Sequence, residues 1–384
     1  MKKNIMLMVP MLHQGGFERI CALTAKLLKD KYNVTIVVFT RKNMFYDVSG
    51  INLIDLELGA VPGKIGKVIN VFKRVSKVKK LKKELGIDIT YSFGQTANIV
   101  NVLSKCQDIT WAGIRGYGAL EDFEMKFIAK RADKVVSCTK VMESEILSRF
   151  NIKSSATLYN PCNLEEIEKL SQEEISDEYR DFLNRPGKTI VSMGREDDIK
   201  GFWHLIKSVY LIKKKIPDIK LMIIGAGEFN EYKELAKNLG IENDVLFTGV
   251  QKNPFALLAR ADVYALTSDT EGFPNALIEA MLCGLPCVSV NCKTGPAEIL
   301  NEDYDKCENQ QKIYKADYGI LTPIFIGSKD LDASNITEEE KIYANQVIEL
   351  INDDTIYEEY KKKSKARVKC YGMEAYVKAI EAIM

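Results

Sequence analysis

Short apolar runs rich in β-branched residues alternate with helical patterns along nearly the whole chain. This alternation is typical of α/β folds, in which helices cover the faces of a mostly parallel sheet. It predicts two series of strands, with a charged helical stretch between them. The first series comprises residues 4–9, 34–39, 51–56, 88–92, 110–114, 134–138 and 156–159, and the second comprises 189–193, 220–224, 245–247, 263–266, 286–290 and 319–321.

The chain length of 384 residues points to two domains, because a single hydrophobic core rarely grows that large. We expect Rossmann-like domains at residues 1–163 and 188–365, with a linker at 164–187. The final helical stretch is too long and charged to be wholly core, so we expect residues 366–384 to cross back toward the first domain.

The first apolar run is interrupted too early for a signal peptide, and no uninterrupted apolar stretch approaches the length of a membrane span. We therefore expect a cytoplasmic protein with reduced thiols. The nine cysteines include no close C-x-x-C pair, and the chain has only two histidines, so a structural zinc site is not expected.

The charge is distributed unevenly. The first 160 residues contain 26 Lys and Arg against 14 Asp and Glu, whereas the rest contains 28 against 39. This asymmetry indicates a partner of negative charge for the first domain.

Residues 64–83 carry nine basic and no acidic side chains, and apolar residues recur among them at helical spacing. The pattern predicts an amphipathic helix whose apolar stripe packs on its sheet and whose basic face is exposed. A solvated face would explain the lysines, but an anionic membrane surface is the favoured partner. No motif supports nucleic acid. The residues expected at the membrane are Lys73, Arg74, Lys77 and Lys80.

The segment from His13 to Arg19 follows the first strand and opens a helix. Gly15 and Gly16 would let a ligand approach the backbone closely, and the helix N-terminus favours an anion. An ordinary turn with two glycines is the alternative.

Two cations follow the strand at 189–193. Arg195 and Lys200 leave the sheet at the carboxyl end of that strand, where open α/β sheets bind ligands. Arginine can fork across phosphate oxygens while lysine acts as a point charge, so the pair suits a diphosphate. Alone, the pair could equally be two solvated charges.

The segment Gly225-Ala226-Gly227 follows another strand. It lacks the third glycine of a dinucleotide fingerprint, so it predicts a tight turn, which either lines a nucleotide pocket or is purely structural.

Two carboxylates, Glu271 and Glu279, flank a Gly272-Phe273-Pro274-Asn275 loop that opens a helix. Backbone N–H groups of such a loop can bind a hexose while the helix N-terminus faces phosphate. Two D-x-D triplets, at 303–305 and 330–332, are weak evidence for a metal because they lie late in the chain.

These motifs occur in an order that resembles the retaining glycosyltransferases of family 4, which have the GT-B fold of two Rossmann-like domains facing each other across a cleft. The resemblance covers nearly the whole chain. Its carrying residues are Gly15-Gly16-Phe17-Glu18-Arg19, Asn160-Pro161, Gly194-Arg195, Lys200-Gly201, Phe247-Thr248-Gly249, Asn253-Pro254, Ser268, Glu271-Gly272-Phe273-Pro274-Asn275, Glu279-Ala280-Met281, Gly284-Leu285-Pro286 and Gly295-Pro296-Ala297-Glu298.

The resemblance implies roles for individual residues. Arg195, Lys200 and Glu271 would be catalytic, with the two cations on the donor diphosphate and Glu271 on the sugar. Glu279 would bind the ribose. Many relatives have a histidine after a strand of the first domain, at the place that reads Gly113-Ile114-Arg115-Gly116 here. Arg115 cannot act as a base at neutral pH, and it is expected to bind the acceptor or a phosphate together with His13 and Gly15. The donor-binding set comprises Gly16, Gly194, Gly227, Val250, Gly272, Phe273, Pro274, Asn275, Ala276 and Glu279.

The expected activity is that of a retaining, metal-independent glycosyltransferase with no cofactor. It would move a hexose or N-acetylhexosamine from a nucleotide-sugar, with UDP favoured, to a lipid-linked glycan at the inner face of the cell membrane. Two alternatives remain: transfer to a soluble small molecule or a protein, and a non-catalytic scaffold that binds a sugar nucleotide.

Overall fold

A computed structural model describes residues 2–121, 123–307 and 309–384. The chain divides into two compact units, Met1–Pro161 with Met373–Met384 and Cys162–Gly372. The segment expected to be a linker, 164–187, is largely helical, as its sequence predicts, and it lies within the second unit. Its two short helices are preceded by Asn163 and Ser176 as N-cap residues, types that favour this position.

The first unit is built on a seven-stranded parallel sheet in the order β3-β2-β1-β4-β5-β6-β7. The inner strands are buried on both faces, which explains their nearly continuous apolar sequence. The strands are β1 (Asn4–Val9), β2 (Asn33–Val38), β3 (Asn52–Asp55), β4 (Ile89–Phe93), β5 (Ile109–Ile114), β6 (Lys134–Ser137) and β7 (Ser155–Thr157), and the helices are α1 (Gly16–Leu28), α2 (Lys64–Glu84), α3 (Gln95–Leu103), α4 (Phe123–Arg131) and α5 (Lys140–Arg149).

The second unit has a sheet in the order β10-β9-β8-β11-β12-β14-β13, parallel except for β13. Its strands are β8 (Thr189–Met193), β9 (Lys220–Ile224), β10 (Val245–Phe247), β11 (Val263–Leu266), β12 (Cys287–Val290), β13 (Tyr314–Ala316) and β14 (Gly319–Thr322). Its helices are α6 (Leu164–Ser171), α7 (Asp177–Asn184), α8 (Phe202–Lys213), α9 (Asn230–Asn238), α10 (Pro254–Leu258), α11 (Asn275–Leu282), α12 (Pro296–Leu300), α13 (Glu338–Asn352) and α14 (Asp354–Arg367).

Every strand predicted from the sequence is present, and β13 is the strand that the prediction missed. In the second sheet the strand order reverses between β8 and β11, which are neighbours in the sheet. Ligands of open α/β sheets bind beyond the carboxyl ends of strands at such a reversal. The residues that follow β8 and β11 include Arg195 and Ser268, so the order of the strands places both segments at this edge.

The last helix, α15 (Met373–Ile383), belongs to the first unit. A 3₁₀ turn at Val368–Tyr371 and Gly372 separates it from α14, so the C-terminal stretch is not one helix. Tyr376 and Ile380 of α15 lie in the core of the first unit, and the Tyr376 hydroxyl is 2.7 Å from Oγ1 of Thr24.

Helix α2 forms where the basic stretch predicts it, but its orientation differs from the expectation. Asn70 and Arg74 are buried, and both donate to backbone carbonyls that follow β3. Arg74 also lies over the Phe39 ring, so its expected place at a membrane surface is wrong. Lys77 is exposed, but its Nζ donates to the Leu56 carbonyl.

In the first half of α2, Ile65, Val68, Ile69 and Phe72 lie on its exposed face, not on the sheet. No helix in the described part of the chain is long and apolar enough to cross a bilayer.

Candidate active site

The loop after β8 brings the two predicted cations to the edge of the second sheet. The aliphatic stem of Lys200 passes over Gly194. A Cβ added to Gly194 would lie 3.4 Å from Cδ and Cε of Lys200. Gly201 then takes a left-handed conformation with φ of 59°, so that α8 can begin directly after Lys200. The Thr267 hydroxyl donates to the Lys200 carbonyl and ties this loop to the end of β11.

Arg195 is paired with a neighbouring acid, Asp197. Its Nε and Nη2 atoms donate to Oδ2 of Asp197, at 3.0 and 2.7 Å. Partial burial acts to raise the pKa of Asp197, but the bonds from Arg195 and the Ile199 N–H outweigh it and hold that pKa below its ordinary value. The Asp197 carboxylate therefore pairs with the guanidinium that we expect to bind phosphate.

Lys200 and Glu271 are joined by a direct ion pair, with Nζ 2.7 Å from Oε1. The same Oε1 atom accepts a second bond, also of 2.7 Å, from the Ser268 hydroxyl. Glu271 is mostly buried, and a carboxylate so placed needs both polar partners. Two donors on one oxygen fix the orientation of this carboxylate at the sheet edge.

The backbone of the Glu271 loop is held by the segment that follows β12. The Glu271 N–H donates to the Lys293 carbonyl at 2.8 Å, and the Thr294 N–H donates back to the Glu271 carbonyl at 3.1 Å. The Thr294 hydroxyl donates to the Gly272 carbonyl at 2.8 Å. These bonds join chain segments more than 20 residues apart, so the loop is a pre-formed element.

Helix α11 continues from that loop. Phe273 is buried and packs edge-on against Tyr371, so its ring contributes to the packing beneath the loop. Glu279 lies one turn into the helix and is almost fully buried. Burial, and then the nearby Glu271 carboxylate, raise the pKa of Tyr264 on β11 far above its ordinary value, so its hydroxyl remains protonated near both acids.

The Gly225-Ala226-Gly227 turn packs against the Arg195 loop. An added Cβ on Gly225 would lie 1.9 Å from the Gly194 carbonyl oxygen, and one on Gly227 would meet the Glu196 side chain. The Glu196 carboxylate accepts the Phe229 N–H at 2.9 Å, just before α9. Val250, expected at the nucleotide, is exposed a few residues beyond β10.

The first unit contains the other predicted residues. Gly16 is the exposed first residue of α1, and an added Cβ there would meet nothing. His13 lies close to Glu18, with Nδ1 3.0 Å from Oε1. Glu18 is buried beneath Gly15, and this burial raises its pKa. Glu18 therefore packs beneath the glycine loop and supports its conformation.

Arg115 follows β5, but its terminal nitrogens are already engaged within the first unit. Nη1 donates to the Leu158 carbonyl and to Oδ1 of Asn160, and Nη2 donates to the Tyr91 hydroxyl. A phosphate bound by Arg115 would compete with these partners, and its phosphate role stays a prediction.

The D-x-D triplets form local turns. Asp330 and Asp332 accept bonds from the Asp332 and Ser334 N–H groups. Within residues 2–121, 123–307 and 309–384, no group of three His, Cys, Asp or Glu side chains could hold a metal ion.

Several site residues were missed by sequence reasoning. Ser268 was part of the quoted pattern without a role, and its spacing of three residues from Glu271 was the available signal. Asp197 could have been noticed as an acid between two cations. Thr294 had no signal, because only the fold brings it to the Glu271 loop.

Comparison with known proteins assigns the class. The family described as "Glycosyl transferases group 1" matches residues 175–312, which contain the whole Arg195–Glu279 site. An uncharacterised glycosyltransferase of Methanocaldococcus jannaschii is 31% identical over 335 residues, covering 80% of this chain and 82% of the relative. The chain belongs to the glycosyl transferases group 1 family.

Two further proteins resemble the chain over nearly its full length. One is the N-acetylgalactosamine-N,N'-diacetylbacillosaminyl-diphospho-undecaprenol 4-alpha-N-acetylgalactosaminyltransferase of Campylobacter jejuni, 25% identical over 94% of this chain and 93% of its own. The other is the structure of Anabaena HepE in complex with UDP and glucose. It has a TM-score of 0.72 and 18% identity, and the match covers 99% of each chain. The fold is therefore the two-domain α/β fold of GT-B glycosyltransferases.

Proposed function

We propose that this chain is a retaining, metal-independent glycosyltransferase that moves a sugar from a UDP-sugar to a lipid-linked glycan. The observation that carries the proposal is the single Glu271 oxygen that binds both Lys200 and Ser268, at the start of the loop that opens α11. This arrangement offers a fixed carboxylate for sugar hydroxyls, next to a cation and a helix N-terminus for phosphate.

The donor would lie along the edge of the second sheet. Glu279 would accept ribose hydroxyls, the N-terminal N–H groups of α11 would face the diphosphate, and Glu271 would bind the sugar. Arg195 would exchange Asp197 for a phosphate oxygen, while Lys200 stays close to both sugar and phosphate. The structure of HepE with UDP and glucose supports the choice of a uridine nucleotide.

The transfer breaks the bond between the anomeric carbon and the β-phosphate oxygen, and the electron pair stays on UDP. Arg195 and Lys200 would stabilise that developing charge, which is where fixed cations are most effective. The acceptor hydroxyl attacks the same face that the diphosphate leaves, and its proton passes to the departing phosphate oxygen. The products are UDP and a glycoside with the donor's anomeric configuration, so no protein base is needed.

The acceptor is proposed to be a saccharide linked to a polyprenyl diphosphate. The Campylobacter relative is named for such an acceptor, and the excess of Lys and Arg in the first 160 residues suits its phosphates. The enzyme would then work at the cytoplasmic face of the cell membrane as a peripheral protein, in the assembly of a cell-surface polysaccharide or lipid-linked oligosaccharide.

The test is a matrix of UDP-, GDP- and ADP-sugars against polyprenyl-diphosphate saccharides and free sugars, with and without EDTA. We expect transfer from a UDP-sugar to the lipid-linked acceptor, an unchanged rate in EDTA and an α-linked product from an α-linked donor, determined by NMR. Transfer only to free sugars would instead favour a soluble acceptor. Nucleotide-sugar binding without transfer or hydrolysis would favour a scaffold.

A further inference from the structure

The first half of α2 has an apolar face turned to solvent. Ile65, Val68, Ile69 and Phe72 are 79, 55, 49 and 67% exposed. Their spacing of three and four residues places them on one side of the helix, along about 10 Å of its length. We name these four residues the α2 outer face. Large apolar side chains exposed as a contiguous group mark an interaction surface.

The opposite side of α2 holds the helix in this orientation. Asn70 and Arg74 are buried one turn apart, and their side chains donate to the carbonyls of Leu58 and Gly59 at 2.6 to 2.9 Å. Turning the outer face inward would break these bonds and leave the Leu58 and Gly59 carbonyls without these donors, which is costly. The exposed stripe is therefore a fixed property of the folded chain.

The same side of the helix becomes basic after Phe72. Lys79 and Lys83 continue the outer face at helical spacing, and Lys73 and Lys80 lie beside it. Residues 64–83 contain no acid, and among the described residues no carboxylate pairs with Lys73, Lys79 or Lys83. An apolar segment followed by unpaired lysines complements the boundary between acyl chains and anionic headgroups.

A second pair of exposed apolar side chains lies toward the carboxyl edge of the first sheet. Met44 and Phe45 follow β2, and the Phe45 N–H donates to the Leu12 carbonyl beyond β1. Helix α2 begins shortly after β3, the neighbour of β2 in the sheet. Both apolar groups thus lie toward the carboxyl edge of the first unit, the edge that also carries His13 and Arg115.

We propose that the α2 outer face inserts into the surface of an anionic phospholipid bilayer, with Lys79 and Lys83 at the headgroups. This differs from a purely electrostatic contact through a lysine face, because apolar side chains enter the acyl boundary. It deepens the proposed function by naming the segment that holds the enzyme where its acceptor lies. The choice of a bilayer as partner rests partly on that function, so binding is tested without any sugar substrate.

The experiment is co-sedimentation of the full chain with vesicles of phosphatidylcholine and phosphatidylglycerol at 3:1. We expect Phe72→Asp and Ile69→Asp each to weaken binding about tenfold or more, and Lys79→Gln with Lys83→Gln to weaken it mainly at low salt. Leu147→Asp is the matched control, since Leu147 is 57% exposed near the end of α5, and it should bind like the wild type. Equal binding by all variants, or loss with Leu147→Asp alone, overturns the proposal.

Insertion is distinguished from surface adsorption by Phe72→Trp. The native Trp111 and Trp203 are buried, so a new exposed indole dominates any change on adding vesicles. We expect a blue shift and quenching by lipids brominated in the acyl chain. If the protein sediments with the vesicles but the emission maximum stays at the wavelength of a water-exposed tryptophan, insertion is overturned. A dimer in solution that Phe72→Asp dissociates, with no vesicle binding, assigns the face to a second copy and also overturns it.

Discussion

The Nζ atom of Lys200 lies 2.7 Å from Oε1 of Glu271, although 71 residues separate them in the chain. Lys200 follows β8 and Glu271 follows β11, two strands that pair directly in the second sheet. The contact therefore depends on the reversal of strand order, which brings the ends of β8 and β11 together. The Ser268 hydroxyl, which also follows β11, donates a second bond to the same Glu271 oxygen.

Loss of the cation should impair turnover more than loss of the hydroxyl. We expect Lys200→Met to lower kcat by about 100- to 1,000-fold, because it removes charge stabilisation of the leaving diphosphate. Ser268→Ala should lower kcat about tenfold by loosening Glu271. Lys188→Met, which removes an ion pair with Asp262 in the same unit, should leave kcat unchanged. Steady-state kinetics with the best UDP-sugar measures all three, and wild-type turnover by Lys200→Met would remove Lys200 from the mechanism.

Asp197 competes with the donor for Arg195. Asp197→Asn should tighten UDP binding about 2- to 5-fold, since an amide still accepts the Ile199 N–H but no longer neutralises the guanidinium. Isothermal titration calorimetry with UDP measures the change. Asp177→Asn removes one of the two carboxylates that pair with the exposed Arg180 and serves as the control, with no expected effect. Weaker binding by Asp197→Asn would mean that the carboxylate is needed to orient Arg195.

Much of this fold could be predicted from the sequence because its signals are local. Each predicted strand is a short run of apolar or β-branched residues between turn or helix signals, and burial of inner strands on both faces produces such runs. Strand β13 was missed because Tyr314-Lys315-Ala316 is short, half exposed and antiparallel at the edge of its sheet.

The orientation of α2 could not be predicted in this way. Periodicity reveals an apolar stripe, but it does not show which side of the helix faces the protein. That choice depends on the Leu58 and Gly59 carbonyls, which accept bonds from Asn70 and Arg74. The same limit applies to the site. A strand end located Arg195 and a loop motif located Glu271. The bond from Arg195 to Asp197 and the bond from Thr294 to Gly272 depend on loop conformation.

Gly16 offers a test of the glycine loop that leaves the fold intact. An added Cβ meets no atom within 4 Å, so Gly16→Ala should keep the wild-type melting temperature. If the donor phosphates approach this backbone closely, kcat/KM should fall about tenfold or more. Gly15→Ala is the contrast, because its Cβ would lie 2.2 Å from Oε2 of Glu18 and should destabilise the chain by about 1–3 kcal/mol. Unchanged kcat/KM in Gly16→Ala would exclude a close approach there.

The fully buried ion pair of Lys82 and Asp108, at 2.8 Å, should control the stability of the first unit. Lys82→Met leaves Asp108 buried without its cation and should lower the free energy of unfolding by about 3–5 kcal/mol, whereas adding Asp108→Asn should restore much of the loss. Urea unfolding followed by Trp111, in a Trp203→Phe background, reports on this unit. If the single and double variants were equally unstable, lost packing and not the buried charge would be the cause.

The same pair predicts a pH dependence. Burial acts to raise the pKa of Asp108, but Lys82 and hydrogen bonds outweigh it, so the pKa is below its ordinary value. In the wild type, the ionised Asp108 stabilises the folded chain at pH values above its unfolded pKa of about 3.9. This stabilisation is lost as the pH falls through the lower folded pKa. Without Lys82, burial should raise the folded pKa above the unfolded one, and protonation then relieves the buried charge. The stability difference between wild type and Lys82→Met should therefore shrink as the pH falls from 7 toward 4, and a constant difference would contradict this account.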